Sequence, residues 1–558
     1  MTKALRSVLA AVLVISGALW TAGVARADLN NSSATNAQDG SNRSTANQRG
    51  TSKSGDAVGG QVTGVVSSGR TSVDARNTST DSDVTTGNAD GSNHASAFTG
   101  LTASGGGTSL TADATNVNGR NVQSGSNRSN LSQSVTATTG DGVAGQVIGV
   151  VTGAGGSASI VAANTSTNDS VQTGDAKGTN DLAAFTGLND AGATGTVITA
   201  DLTNSCTTAA GCHNALDGRN RTTARQSSTA TTGDGVAGQV IGGVSSGRLS
   251  IDARNTSDNV DVTTGDADAS NSAAVFTGLN SSLGTTTVSA ADVTGSCNVG
   301  VGCNNVQDGR NSATFSQSST AASGDGVGGQ VIGAVTSAGG SASIVAANTT
   351  TNSDVDTGDA DAHNSLSAFV GLNDSAGTTT VQAADITTSC TAAVGCANVQ
   401  SGDNRLTGSQ SAAAHTGDGV AGQVLGVVSA GAASLDANNK TDDSSAETGN
   451  AKADNSASEF VGLNDTPSTL VADISGANAV NVQDGHNNKT LSQTADATSG
   501  DAVAGEVAGV VTSAGGSASV VLANTSTDID SQTGETRFNN DDAGFVGLNQ
   551  SSGPIVVR

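Results

Sequence analysis

Apolar residues in this 558-residue chain come in short alternating runs bounded by Gly, Asn and Asp. Ser-Ile-Val-Ala-Ala-Asn at 159–164, Thr-Val-Ile-Thr-Ala-Asp at 196–201 and Thr-Thr-Val-Ser-Ala-Ala at 286–291 are short and β-branched, and predict strands. One segment reads two ways. Val143, Val147 and Val150 have helical spacing. Gly142, Gly145 and Gly149 would each penalise that helix by about 1 kcal/mol, so a strand or β-arc is expected.

The pattern repeats six times, and four anchors align the modules. An Asn-x-Gln/Leu-x-Gly-x-Asn segment begins at Asn36, Asn121, Asn214, Asn305, Asn398 and Asn481, at spacings of 85, 93, 91, 93 and 83. A Gly-Asp pair follows at a constant offset, at Gly55, Gly140, Gly233, Gly324, Gly417 and Gly500. A third anchor is Asn77, Asn164, Asn255, Asn348, Asn439 and Asn524, at offsets from the Gly-Asp that alternate between 22 and 24. The fourth, Phe-Thr/Val-Gly-Leu, again lies at a constant offset from the third, at Phe98, Phe185, Phe276, Phe369, Phe460 and Phe545. The alternation makes the unit a pair of modules. Odd modules carry Asp74, Asp252 and Asp436 where even ones carry Val161, Val345 and Val521, which predicts a wetter environment in alternate modules. The extra residues come in twos, the strand period, so the two faces of each strand keep their identity.

These intervals predict an all-β, elongated β-solenoid of six modules of about 90 residues; tandem β-sandwich domains are the alternative. The module bounds are 28–120, 121–213, 214–304, 305–397, 398–480 and 481–558. Each anchor interval is roughly 20 residues, a length that suits one solenoid coil. Four coils per module would give about 24 coils and a rod on the order of 115 Å. The interval from Phe to the next module is longest where it holds a cysteine pair: Phe185 to Asn214, Phe276 to Asn305 and Phe369 to Asn398. That predicts a lengthened hairpin or loop on a fixed scaffold.

Composition narrows the function. Residues 1–27 have a basic start (Lys3, Arg6), an apolar stretch and Ala25-Arg26-Ala27, the pattern of a secretory signal. Their removal takes the formal net charge from −26 to −29 and removes the one Trp and the one Met of a chain without Tyr. A nucleic-acid binder would be basic with stacking aromatics, so no nucleic-acid partner is expected. No apolar span long enough for a membrane helix follows the signal, so no transmembrane segment is expected in the mature chain. Only two prolines, and apolar residues in strict register, argue against disorder.

Ser32, Gln38, Gly40, Asn42 and Gln48 approximate a Ser-x5-Gln-x-Gly-x-x-Asn…Gln pattern, with the Gly-to-Asn gap one residue short. The segment resembles the curlin repeat of bacterial surface amyloid over about a fifth of each module. That resemblance implies a secreted, stacked-β structural protein.

Candidate chemistry is sparse. Three Cys-x5-Cys pairs, Cys206/Cys212, Cys297/Cys303 and Cys390/Cys396, are expected to be local disulfides in an oxidising compartment; zinc binding and intermolecular crosslinks are the alternatives. Recurrent acids at Asp56, Asp141, Asp234, Asp325, Asp418 and Asp501, and a second column of Asn88, Asp175, Asp266, Asp359, Asn450 and Glu535, are expected to make turns, with calcium the alternative. No resident cofactor is required. Asparagines at Asn42, Asn127, Asn220, Asn311, Asn404 and Asn487, and at Asn93, Asn180, Asn271, Asn364, Asn455 and Asn540, are expected at coil corners. Five histidines share no column, and no nucleophile elbow or HExxH motif accompanies them, so no enzyme activity is expected. The expected function is a secreted structural repeat protein: an acidic rod or fibre in the extracellular matrix or cell envelope, self-assembling or a cell-surface component. The alternative is an adhesin that binds a glycan or protein through loops of the array.

Overall fold

In the computed structural model, continuous description covers residues 41–103, 126–153, 156–191, 219–282, 310–337, 340–375, 403–465, 486–513 and 516–547, with isolated strand segments between these runs. Residues 1–28, which include the expected signal, and 551–558 lie outside the described residues.

Every described element is a strand, and there is no helix among the described residues. Equivalent strands of successive modules pair in parallel and in register. Asn42–Lys53 pairs with Asn127–Thr138, then Asn220–Thr231, Asn311–Ala322, Asn404–His415 and Asn487–Thr498. The same order recurs in the sheets built on Gln146–Thr152, Ser157–Ala162, Thr165–Thr167 and Ala176–Ala191. The chain is a β-solenoid of repeated modules.

The coil is four times larger than the anchor intervals predict. One module makes one rung, so six modules give six rungs. Five steps of about 4.8 Å make the stack on the order of 24 Å tall, where 24 coils would have reached about 115 Å. Each rung is a flattened loop of two layers. The outbound layer runs through Asn127–Thr138, Gly142–Val143 and Gln146–Thr152; the return layer runs through Ser157–Ala162, Thr165–Gln172 and Ala176–Ala191. The segment around Val143, Val147 and Val150 is strand, as its glycines require.

The interior divides into narrow apolar strips. Ile148, Ile160, Ile241 and Ile251 fill one end of the loop, and Leu131, Leu182, Val275 and Phe315 fill the other. An alanine-only strip, with Ala137, Ala176 and Ala230, lies between these ends. At about 25 cal/mol per Å² of buried apolar surface, burial against neighbouring rungs supplies the cohesion.

One asparagine column opens its strands, as at Asn127 and Asn220, and the other differs from expectation. Asn180 sits mid-strand and fully buried, not at a corner. Its Nδ2 donates to Asn271 Oδ1 in the next rung and to Ser227 O in the facing layer, both at 2.9 Å. A glutamine column answers it: Gln226 Nε2 donates to Gln133 Oε1 at 2.9 Å and to Ser272 O at 2.7 Å. Each amide therefore bonds both along the stack and across it. Left unpaired, each buried group would cost about 1–3 kcal/mol, so the two ladders specify register.

The paired insertions behave as the strand period demands. In the second module the extra residues fall between Gly153 and Gly156, and pairing continues in register on both sides, Thr152 with Ser67 and Ser157 with Arg70. The long intervals add strands 196–197, 286–289 and 379–382, and 202–206, 293–297 and 385–390, each stacked on its equivalent.

The odd and even modules do not differ in wetness. Asp74, Val161, Asp252, Val345, Asp436 and Val521 form one outward column, and Val345 is itself 41% exposed. Alternation instead separates the carboxylates by two rungs.

The Phe-x-Gly-Leu anchor has two causes. Phe185, Phe276 and Phe369 stack with ring centroids 4.8 Å apart. Gly278 adopts φ +73°, and a Cβ there would lie 2.0 Å from Asn311 Oδ1. Gly278→Ala is therefore expected to lower the thermal midpoint by several degrees, through backbone strain of about 1–2 kcal/mol plus the collision. Gly242→Ala, where a Cβ meets nothing within 4 Å, is the control and is expected to leave the midpoint within about a degree. Paired thermal melts followed by circular dichroism test the contrast.

Candidate functional site

The two acidic columns lie at turns, and each residue of the motif has a task in the stack. At Thr139-Gly140-Asp141 the threonine Oγ1 accepts the N–H of Gly233 in the next rung at 2.9 Å. The Asp141 carboxylate accepts the N–H of Asp234 at 3.1 Å. A Cβ on Gly140 would stand 2.4 Å from the Gly55 backbone of the preceding rung, so only glycine fits. The second column repeats this design: Thr173 Oγ1 accepts the Gly265 N–H at 3.0 Å, and Asp175 accepts the Asp266 N–H at 3.2 Å. Asp56, Asp325, Asp418 and Asp501 continue the first column, and Asn88, Asp359, Asn450 and Glu535 the second.

These carboxylates act as caps for turn backbone. Among the described residues no group of three or more His, Cys, Asp or Glu side chains converges as a metal shell. Stacking still has an electrostatic cost. Burial raises the Asp234 carboxyl above its usual range, opposed by the Asp325 N–H and reinforced by Asp325 and Asp141 on either side.

The cysteines fall partly within the described residues. Cys206, Cys297 and Cys390 occupy one register column at the ends of three stacked strands, and Cys396 opens the strand Cys396–Gln400. Cys212 and Cys303 lie outside the described residues. Among the histidines, His94 faces Asp181 at 2.9 Å, His363 faces Asp454 at 3.9 Å and His486 faces Asp403 at 3.3 Å, all on the surface. A shallow depression of about 570 Å³ crosses the third to sixth rungs between Arg248 and Ser519. Its lining is Ser, Ala, one Leu and one Arg, with no acid–base pair and no aromatic platform.

One charged cluster escaped the sequence reading. Glu459 stands in a column otherwise filled by Ala97, Ala184, Val275, Ala368 and Gly544, and it is fully buried. Lys489 reaches it from the facing layer, 2.6 Å away, and also pairs with Asp542. Gly544 makes this geometry feasible, because a Cβ there would meet Lys489 Nζ at 2.0 Å. The detectable signal was departure from a column: a Glu among alanines, and a Lys in a column of Ser44, Ser129, Thr222, Ala313 and Leu406.

Burial pushes the Glu459 carboxyl up to about 7, against the pull of Lys489. Its folded value exceeds its unfolded one, so the folded chain binds the extra proton between about pH 4.5 and 7. The stability that protonated Glu459 contributes is complete below that window and is lost as pH rises through 7. Glu459→Ala is therefore expected to raise the thermal midpoint more at pH 8 than at pH 5. Melts of both proteins at the two pH values measure the difference; an equal shift at both would reject the assignment.

No protein family, curated protein or solved structure matches the chain.

Proposed function

We propose that the chain is a secreted structural repeat protein, a building block of an acidic rod or fibre in the extracellular matrix or cell envelope. The observation that carries this reading is the uninterrupted register. Among the described residues the modules spend their strongest side-chain recurrences, the Asn, Gln, Phe and Thr-Gly-Asp columns, on contacts to the adjacent rung. A chain that positions a ligand or a reaction would break that repetition at one place and hold a concave polar pocket there. The signal-like start and the resemblance of the Asn36–Gln48 region to the curlin repeat agree with export. A single chain is only six rungs tall, so a rod or fibre on this reading is an assembly of chains.

A specific observation supports the adhesin as a second reading. The inserted strands and the cysteine pairs belong to three consecutive rungs, the second to fourth, and the inserted strands stack on one another. This presents three equivalent loops side by side to a glycan or protein. Deleting residues 206–212, 297–303 and 390–396 together would then abolish surface binding while leaving the melt unchanged.

Fractionation of the producing cells tests the first reading. The chain is expected in the medium or the envelope with an N-terminus at Asp28 by mass spectrometry. An intact chain beginning at Met1 in the cytoplasm would overturn it.

A further inference from the structure

The stack has two unlike open ends. Among the described residues, the first-rung strands within 42–103 have a neighbouring strand on one side only, and the sixth-rung strands within 487–547 have one on the opposite side only. In the first rung the Asn42 N–H donates to Ser126 O of the second. Alternation along a parallel strand then turns the N–H groups of Arg43, Thr45 and Asn47 to the open side. Interior rungs hide core columns that the sixth exposes: Val520 is 48% exposed, whereas its column equivalents Ile160 and Ile251 are 1% and 0% exposed.

We propose that the sixth rung of one chain docks in register on the first rung of a second copy, so that the solenoid continues head to tail into a filament. This deepens the structural role proposed for the chain and rests on it.

Four observations point to a second copy as the occupant. Parity comes first. Even and odd rungs alternate, and an even sixth followed by an odd first keeps Val521 beneath Asp74, as Val161 and Val345 lie beneath Asp252 and Asp436.

Second, the amide ladders have a direction that such a junction continues. Glutamines donate towards the preceding rung, as Gln133 does to Gln48 and Gln239 to Gln146. Gln48 of the second copy would therefore donate to Gln493 of the first. The other glutamine column is linked along the stack at Gln239 and Gln146, while Oε1 of Gln330 and Gln423 accept no bond; its sixth member, Glu506, is an acceptor with no donor to offer, and Gln61 of the second copy would supply one. Asparagines donate the other way, as Asn455 does to Asn540, which sets Asn540 to donate to Asn93 of the second copy.

Third, the surfaces fit in size. Phe538, 68% exposed, stands in a column of Gly91, Gly178, Ala269, Ala362 and Ala453. The second copy brings Gly91 over it, with Gly50 alongside: Cβ atoms built on these two glycines would lie 2.6 and 3.7 Å from the same Val135 methyl.

Fourth, only one of the two faces carries net charge, so the junction does not oppose two acidic faces. The described sixth rung, residues 486–547, carries eight acids and two bases, while residues 41–103 of the first carry five of each. Lys489 and Asp542, which stand in core columns of the sixth rung, already pair with each other and with Glu459.

Electron microscopy and sedimentation velocity of the full mature chain, with end variants, test the proposal. The wild type is expected to form open-ended filaments with a strand spacing of about 4.8 Å and one chain per six rungs, about 29 Å. Thr45→Pro removes an N–H that only a further rung would use, and edge strands accept proline. It should reduce filament mass at least tenfold with an unchanged melt. Glu506→Lys should do the same, while Glu506→Gln, which restores the acceptor, should assemble like the wild type. Monomers at every concentration, as when residues 551–558 cover the end, would overturn the proposal; so would closed dimers, or filaments indifferent to Thr45→Pro and Glu506→Lys. An exported chain that stays monomeric rejects the junction alone. Filaments from a chain that cells retain in the cytoplasm reject the secreted role alone.

Discussion

In-register parallel pairing of each module with the next is the constraint on which the rest of the structure depends. It places every residue about one strand spacing from its own equivalent. The fold can therefore use only side chains that tolerate a copy of themselves directly above and below. Amides do so by donating in one direction and accepting from the other, as Asn180 and Gln226 do. Phenylalanine does so by offset of stacked rings, 4.8 Å apart at Phe185 and Phe276. Alanine and isoleucine do so by packing along the stack. Tyrosine and tryptophan would need a hydroxyl or indole partner in every rung, and the chain has no Tyr.

The same constraint dictates the glycines. Where a turn brings backbone of one rung onto backbone of the next, as at Gly140 on Gly55, there is no room for a Cβ. Threonine and aspartate on either side convert that close approach into hydrogen bonds. The motif Thr-Gly-Asp is thus a rung-to-rung connector, and its appearance in two separate columns reflects two turns that face each other across the layers, where Thr264 Oγ1 donates to Gly324 O at 3.0 Å.

Much of this was legible in the sequence. The anchor columns, the even-numbered insertions and the solenoid class all follow from spacing, and the strand assignment at Val143–Val150 follows from its glycines, against a helical spacing. The size of the coil did not. Four intervals of similar length mimic four coils, but the asparagines and phenylalanines recur only at the module period. Like residues stack on like, so one rung must span a whole module; the signal was present in which residues repeat rather than in how far apart they lie. The mid-strand position of Asn180 was hidden for a related reason. Asparagine is a turn residue when its amide has only local backbone to bond, and becomes a core residue when a ladder satisfies it. The Glu459–Lys489–Asp542 cluster breaks the columns, and what does not repeat is invisible to a search for repeats.

Electrostatics distinguishes the Asp141 column from the Asp74 column. Two carboxylates one rung apart repel by about 1 kcal/mol at the dielectric of water and by more when half-buried. The Asp141 column bears this because each carboxylate accepts an N–H from the next rung, and a hydrogen bond to a charged group contributes about 1.5–3 kcal/mol. The Asp74 column has no such donor. Asp74 and Asp252 bond instead to their own Arg76 and Arg254 two residues along, an exposed pairing that contributes little. There the repulsion is not offset, and the chain places Val161 and Val345 between the acids. Doubling the separation halves the Coulomb energy and brings the distance to about one Debye length at physiological salt, where screening removes most of the remainder. In this column the two-module repeat keeps the carboxylates two rungs apart.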